Sequence, residues 1–286
     1  MQLLCKHIYA GHTGPVYVVL PKDDRHFFSA GSDGIIAQWE YEKPEQATAI
    51  AMLNTPVYSL YYSPTNDKMW VGTSTGNIHL LDVSNKTELK QIALNAKGIF
   101  RIEFILGKYW VLGGNGILYV FDEDEKLIWE LDLSESKLRS IVLFDGKLCI
   151  GDSGGQIFKI NPLSFKVEDR FVAHNPSVYD LLVMEGYLYT CGRDGHIRKW
   201  NNENMLIWEI AAHNYAIYTL QEMEGKIVSS SRDRKIKIWD IDGGFIGKTY
   251  PEFGVRGSIN SSKVWNGGVL AASDDKMLRF FHLKRV

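Results

Sequence analysis

Several features that would indicate other classes of protein are absent from this sequence. Its 286 residues include only three cysteines, Cys5, Cys149 and Cys191, which are scattered, so we expect neither a disulfide framework nor a zinc site. The formal net charge is −2, without the basic footprint of a nucleic-acid-binding protein. No apolar run approaches the length of a membrane span, and the first residues lack the pattern of a secretory signal. We therefore expect a cytoplasmic protein with reduced thiols.

The motifs of a catalytic site are also missing. The sequence contains no Gly-x-Ser-x-Gly elbow, no His-Glu-x-x-His motif and no paired cysteines. Two glycine-rich runs, at residues 113–116 and 151–155, are similar to phosphate-binding loops. Each lies between two predicted strands with no helix after it, so a tight turn explains it better. We expect no cofactor, no bound metal and no enzymatic activity.

What the sequence does contain is a unit that recurs about every 40 residues. A period of this size indicates a small sheet that buries its apolar face only against its neighbours. Seven units occupy the chain when they are aligned on one terminal position, which is filled by Trp39, Leu81, Phe121, Ile160, Trp200, Trp239 and Phe281.

Within each unit, short segments of alternating apolar and polar residues predict strands. Turns rich in glycine, aspartate and asparagine separate these segments. Four antiparallel strands per unit, repeated seven times, predict an all-β fold, a single seven-bladed β-propeller that comprises residues 1–286. The segment 1–10 has the pattern of the last strand of other units. We expect it to complete the seventh blade and to close the ring, which removes two free sheet edges.

Three units also carry a histidine, a serine or threonine, an aspartate and a tryptophan in the same register. The sets are His12, Ser29, Asp33 and Trp39; His174, Thr190, Asp194 and Trp200; and His213, Ser229, Asp233 and Trp239. With these sets the chain resembles the WD40-repeat propellers over its entire length. The resemblance implies that each set forms a buried hydrogen-bond network, which the donors and acceptors of these side chains permit. Because the sets recur on separate blades, we interpret their His–Asp pairs as structural and not as acid–base pairs.

The other units depart from this pattern. Thr75, Asn115 and Gly154 replace the aspartate in units two, three and four, and unit seven keeps Asp275 beside Ala271 and Phe281. In the middle of the chain, GILYVFDEDEKLIWELDL is similar to the repeats of quinoprotein-like propellers, which share the same gross fold.

The resemblance also implies which residues surround the mouth of the central channel. Two positions in each repeat face this surface. The first holds Tyr17, Tyr58, Phe100, Arg139, Tyr179, Tyr218 and Asn260, and the second includes Arg193, Arg232 and Asp274. Two interpretations stay open for each group. The rings bind a partner or only plug the channel, and the arginines bind an anion or are solvated and paired with neighbours such as Asp180.

The resemblance implies a non-catalytic scaffold that binds a protein or peptide partner, acidic or phosphorylated, on the channel-mouth face. We expect neither nucleic acid nor a membrane as a partner. Two alternatives remain: a sensor of a small ligand or anion that uses the arginines, and a propeller enzyme of quinoprotein-like, lyase or hydrolase type.

Overall fold

The computed structural model describes residues 2–249 and 254–284, which contain 28 β-strands and no helix. The first strand, β1, is Gln2–Ala10. Blades one to three then follow in chain order. They contain β2 to β5 (Val16–Pro21, His26–Gly31, Ile35–Glu40, Lys43–Met52), β6 to β9 (Val57–Ser63, Lys68–Thr73, Asn77–Asp82, Thr87–Ala93) and β10 to β13 (Ile99–Ile105, Lys108–Gly113, Ile117–Phe121, Leu127–Asp132).

Blades four to seven continue the same order. They contain β14 to β17 (Leu138–Phe144, Lys147–Asp152, Gln156–Ile160, Val167–Val172), β18 to β21 (Val178–Met184, Tyr187–Gly192, His196–Trp200, Leu206–Ala211), β22 to β25 (Ile217–Met223, Lys226–Ser231, Ile236–Trp239, Phe245–Thr249) and β26 to β28 (Ile259–Trp265, Gly268–Ser273, Met277–Lys284).

Tight turns connect the first two strands of several blades. In blade four, for example, Asp145 and Gly146 both have positive φ angles, 49° and 72°. A two-residue hairpin turn of this kind matches the twist of the flanking strands, and it favours Asp-Gly or Asn-Gly. The sequence therefore sets the register of these hairpins locally.

Blades one to five are separate four-stranded sheets, whereas blades six and seven are joined through β1. This strand pairs antiparallel with β28 from Gln2↔Lys284 to Ala10↔Met277, and it pairs parallel with the end of β25 at Gln2↔Lys248 and Leu3↔Thr249. The predicted all-β, seven-bladed fold closed by the N-terminal strand is confirmed. Met1 and residues 250–253 and 285–286 of the predicted 1–286 domain lie outside the described residues, and its extent stays a prediction.

The hydrophobic core lies between neighbouring blades. Trp70 of blade two, for example, stacks on Tyr109 of blade three with 4.2 Å between the ring centroids. On the same boundary, the carboxylate of Glu125 in blade three forms ion pairs with two lysines of blade two. Its oxygens lie 2.6 Å from Lys68 Nζ and 2.8 Å from Lys90 Nζ. Each sheet thus buries its faces against its neighbours, as the repeat period requires.

Candidate interaction site

The innermost strand of every blade has a β-bulge at its second residue. In β2, Val16 pairs with Gly31 and Val18 pairs with Ala30, so Tyr17 between them is left out of the ladder. A bulge of this kind bends the strand and re-aims a side chain. The equivalent offset in the other six blades leaves out Tyr58, Phe100, Arg139, Tyr179, Tyr218 and Asn260.

These seven residues are the ones that the sequence places at the channel mouth, and all seven line one cavity of about 510 Å³ on the propeller axis. Their side chains are neither fully buried nor fully exposed. The structure therefore brings the first predicted group together around a single opening.

Six of the seven form a continuous arc of ring and cation contacts. Tyr17 meets Tyr58 edge to face at 5.6 Å, and Tyr58 stacks on Phe100 at 5.2 Å. The arc continues through Arg139 to Tyr179, which meets Tyr218 edge to face at 5.1 Å. These distances lie in the favourable range for aromatic pairs. The contacts of the arc hold these side chains against one another, and all six also line the cavity.

Asn260 fills the gap between the two ends of the arc. Its amide nitrogen donates to the carbonyl oxygen of Val16 in blade one, at 2.9 Å, and to Asp274 Oδ1, at 2.8 Å. The exposed carboxylate of Asp274 is thus the acidic point of a mouth that is otherwise aromatic and basic.

Arg139 is held between rings and has no carboxylate partner among the described residues. Its guanidinium carbon lies 4.1 Å from the centroid of Phe100 and 5.6 Å from that of Tyr179, and its Nε donates to Ser153 Oγ at 2.8 Å. Burial lowers the pKa of this guanidinium. Cation–π contacts position the charge without neutralising it, so the remaining N–H groups stay available to an anion.

Lys137 belongs to the same cluster, although the sequence analysis missed it. Its ammonium lies 5.6 Å from the Phe100 centroid, and it lines the axial cavity. The available signal was a second basic residue two positions before Arg139, in the loop that enters the innermost strand.

Arg193 and Arg232 lie on the same face as the bulge residues. Each follows the second strand of its blade, and its backbone N–H donates to the loop before the innermost strand, Arg193 to Ser177 and Arg232 to Ala216. Both side chains are exposed, and neither forms an ion pair within the described part of the chain. Arg232 lies 5.9 Å from the ring centroid of Tyr215.

Asp180 is not the partner of these arginines. Its Oδ1 accepts from Arg101 at 2.7 Å, and its Oδ2 accepts from the backbone N–H of Leu220 at 3.0 Å. The described residues therefore leave the charges of Arg139, Arg193 and Arg232 unpaired.

The three predicted histidine sets each form one chain of hydrogen bonds. In blade six, His213 Nδ1 lies 2.9 Å from Asp233 Oδ2, His213 Nε2 lies 2.8 Å from Ser229 Oγ, and Trp239 Nε1 donates to the same Oγ at 2.8 Å. The arrangement fits a neutral imidazole that donates from Nδ1 and accepts from the hydroxyl at Nε2.

The sets of blades one and five have the same geometry. His12 contacts Asp33 at 2.9 Å and Ser29 at 2.7 Å, and Trp39 donates to Ser29 at 2.7 Å. In blade five, the corresponding distances are 2.9, 2.8 and 3.0 Å, and they join His174, Asp194, Thr190 and Trp200. Burial raises the pKa of Asp194, but hydrogen bonds from His174 and Arg198 outweigh it and hold this pKa far below its usual range.

Two blades without a histidine contain ties that the sequence analysis missed. In blade seven, Arg279 donates to Asp275 Oδ1 at 3.0 Å and to Ser273 Oγ at 3.2 Å, so an arginine replaces the histidine. In blade four, Asp152 accepts a hydrogen bond from Ser134 Oγ at 2.6 Å. Asp152 lies two residues before Gly154, which occupies the aspartate position of this unit. The signal for Arg279 was its spacing of four residues from Asp275.

The described residues hold no group of three or more histidine, cysteine, aspartate or glutamate side chains that could bind a metal ion. Across residues 2–249 and 254–284 there is likewise no helix with the length and apolarity that crossing a membrane requires.

Comparison with known proteins agrees with the geometry. The family model described as WD40, a WD domain or G-beta repeat, matches residues 3–40, 165–201 and 205–240. A segment of 96 residues, 32% of this chain, is 30% identical to the Methylosome protein WDR77 of Xenopus laevis. The match spans only 29% of the length of that relative.

Two solved structures show the same fold. The WD40 β-propeller domain of Doa1 has a TM-score of 0.88 at 20% identity, with 99% of this chain and 98% of that one covered. A chain in the Mitotic Checkpoint Complex has a TM-score of 0.86 at 15% identity, with 98% and 92% covered. The likeness of the middle blades to quinoprotein-like propellers stays a prediction. With three repeats matched by the family model and the described residues folded as seven blades, the resemblance to the WD40-repeat β-propellers is confirmed.

Proposed function

We propose that this propeller is a non-catalytic scaffold that binds a protein or peptide on its channel-mouth face. The observation that carries the proposal is the arc of half-buried rings from Tyr17 to Tyr218, beside three arginines that no described carboxylate neutralises. Aromatic and arginine side chains contribute most of the binding energy in many interfaces.

The chemistry of the mouth favours an extended segment that carries an acidic or phosphorylated residue. Rings offer a large contact area at low cost in conformational entropy, because they have few rotatable bonds. An arginine clamps a carboxylate or phosphate through two parallel hydrogen bonds. We place the anion of the partner near Arg139, Arg193 and Arg232, and its apolar side chains against Tyr179 and Tyr218.

Two further points support a protein partner. The net charge of −2 gives no overall attraction for nucleic acid, so the basic groups act locally. The curated relative is a methylosome protein by name, which is consistent with a role in an assembly of proteins. A cytoplasmic location, the absence of a membrane partner and the absence of enzymatic activity are part of the same proposal.

Quantitative affinity capture from the native cell tests the proposal. The mouth variant carries Arg193→Gln and Arg232→Gln. The matched control carries Arg25→Gln and Lys226→Gln, which remove the same charge at the opposite end of the innermost strands. Arg25 lies in the turn before β3 of blade one, and Lys226 is the first residue of β23 in blade six. Partners should be depleted on the mouth variant and retained on the control. Depletion on the control with retention on the mouth variant would assign binding to the opposite face.

A further inference from the structure

Below the mouth, the axial cavity contains a second tier of charged and hydroxyl side chains. Arg101 and Glu103 extend from β10, and Ser261 and Lys263 extend from β26. Alternate residues of a strand face the same side, so after the bulge each pair points into the channel. This tier lies deeper along the same strands than the seven bulge residues and forms no part of the arc.

The acidic groups of the tier are already engaged. Arg101 reaches past blade four to Asp180 on blade five, and the remaining carboxylate oxygen of Asp180 accepts a backbone N–H. Glu103 lies 3.8 Å from Arg101. Both carboxylates are thus already paired with Arg101, and they act on Lys263 only through longer-range charge interactions.

Lys263 is the unpaired cation of this second tier, in contrast to Arg101. Within residues 2–249 and 254–284 it forms no hydrogen bond and no ion pair, although it lines the cavity. Burial lowers its pKa, the nearby charge of Arg101 lowers it further, and the charges of Glu103 and Asp180 oppose this decrease without reversing it. Ser261, two residues earlier, accepts from the backbone of Val19 at 3.4 Å. Its hydroxyl proton is not engaged by another described group.

The balance of charge in the channel is positive although the whole chain is slightly acidic. Arg101, Lys137, Arg139 and Lys263 line the cavity with Glu103, and Asp180 pairs with Arg101. Four cations thus stand against two carboxylates. In a site with reduced access to water such an excess is unfavourable by itself and attracts an anion strongly.

We propose that the channel below the mouth binds a small phosphate compound between Lys263 and Arg101, at a site separate from the partner-binding face. A phosphate carries a charge of about −1.5 to −2 at neutral pH and has oxygens that accept from several directions. It matches donors from different strands and the excess of cations, which a monocarboxylate neutralises only in part. The cavity of about 510 Å³, which this tier shares with the mouth residues above it, has room for this group together with water.

Titration with inorganic phosphate at low ionic strength tests this site, with chloride at the same ionic strength as the reference. Lys263→Met keeps most of the side-chain volume and removes the charge, and Lys226→Met is the matched control outside the channel. Loss of one charge-assisted contact should weaken phosphate binding by about tenfold in Lys263→Met. The control and the mouth variant should bind like the wild type.

Equal affinity in Lys263→Met and wild type, or no difference between phosphate and chloride, would overturn the site. Loss of phosphate binding in the mouth variant alone would assign the anion to Arg193 and Arg232 and overturn the channel site, while the proposed partner face would remain.

A measurement on the wild type keeps the inference testable if Lys263→Met does not fold. Phosphate should slow the acylation of Lys263 by a small reagent about tenfold, as mass spectrometry of peptides detects, and leave Lys226 unchanged. An unchanged acylation rate at Lys263 would contradict the proposal.

Discussion

Blades one, five and six differ from blades two, three and four in how their strands are tied, although all six have the same order of four strands. The first group contains the hydrogen-bonded sets around Ser29, Thr190 and Ser229. In the second group, the hydroxyl position holds Val71, Val111 and Ile150, and the tryptophan position holds Leu81, Phe121 and Ile160; all six are buried.

The substitutions occur as a set. Where the hydroxyl is absent, the indole and the imidazole that would bond to it are absent too: in blade three, Val111 and Phe121 accompany Ala96 at the histidine position. A buried donor that loses its partner is costly, whereas replacing both partners by apolar groups is nearly neutral. The comparison teaches that, within these six blades, the hydroxyl, the imidazole and the indole are either all present or all replaced.

The mouth does not follow this division. Both groups of blades contain the bulge, and both contribute rings to the arc, such as Tyr17 and Tyr58. The positions that line the opening are therefore independent of the ties that hold each blade together.

Removal of residues 1–9 should have the largest effect, because it acts on the whole ring. Strand β1 pairs along β28, and its residues Leu3 and Tyr9 are fully buried. The truncated chain should expose an edge in blade seven and either aggregate or lose cooperative unfolding. Size-exclusion chromatography and denaturant unfolding check this, and a monomer with unchanged melting would contradict the observed closure.

Single changes in a histidine set come next. Asp233→Ala and Trp239→Ala should each lower the free energy of unfolding by about 2–4 kcal/mol, because they leave buried polar groups unpaired or open a large cavity. Asn115→Ala is the comparison in blade three, where the side chain donates to Tyr119 Oη. It should cost about 1 kcal/mol. A loss within about 0.5 kcal/mol for the blade-six variants, typical of surface changes, would mean that the set does not support the fold.

Transplanting a complete set sharpens the comparison further. The combination His213→Ala, Ser229→Val, Asp233→Asn and Trp239→Phe gives blade six the residues of blade three. Its loss of stability should be smaller than the sum of the four single losses by about 1–3 kcal/mol, because the neighbours are coupled. Additivity within about 0.5 kcal/mol, as found for independent sites, would refute the account of joint replacement.

The pH dependence of stability should also separate the two kinds of blade. Burial lowers the pKa of His213 and outweighs its bond to Asp233, so the imidazole is neutral in the folded state. Below the ordinary value of 6.5 the unfolded chain binds more protons, and stability falls as the pH falls from 6.5 to the lowered value.

A second loss of stability comes from Asp233 and lies at lower pH. Burial raises its pKa, but the bond from His213 outweighs this and lowers it, so its contribution is lost below 3.8.

The contribution of His213 is tested at higher pH. The stability measured by unfolding between pH 7.5 and 5 should decline less steeply for the four-residue variant than for the wild type. If stability declined equally with pH in the variant and the wild type, His213 would not be a cause of that decline.

Much of the fold could be predicted because its determinants are local. The alternation within strands, the hairpin turns and the period indicate seven blades, and three sets in one register carry the resemblance to WD40 repeats. The bulge residues follow from the same register. Arg279 and Asp152 were missed because a substitute tie uses a different residue at a different offset. Lys137 was missed although a basic residue two positions before Arg139 was a signal for it. Lys263 was missed because its significance depends on which carboxylates other blades have already engaged, and only the folded channel shows this.

The central claim is that a partner binds at the mouth, and affinity measured for a captured partner tests it most directly. Arg193→Gln and Arg232→Gln should each weaken binding by about 1–3 kcal/mol, more at low than at high salt, because they remove a charged clamp. Their thermal stability should match that of the Arg25→Gln/Lys226→Gln control, which should bind like the wild type. A control that loses binding while the double mouth variant keeps it, at either salt concentration, would contradict the account.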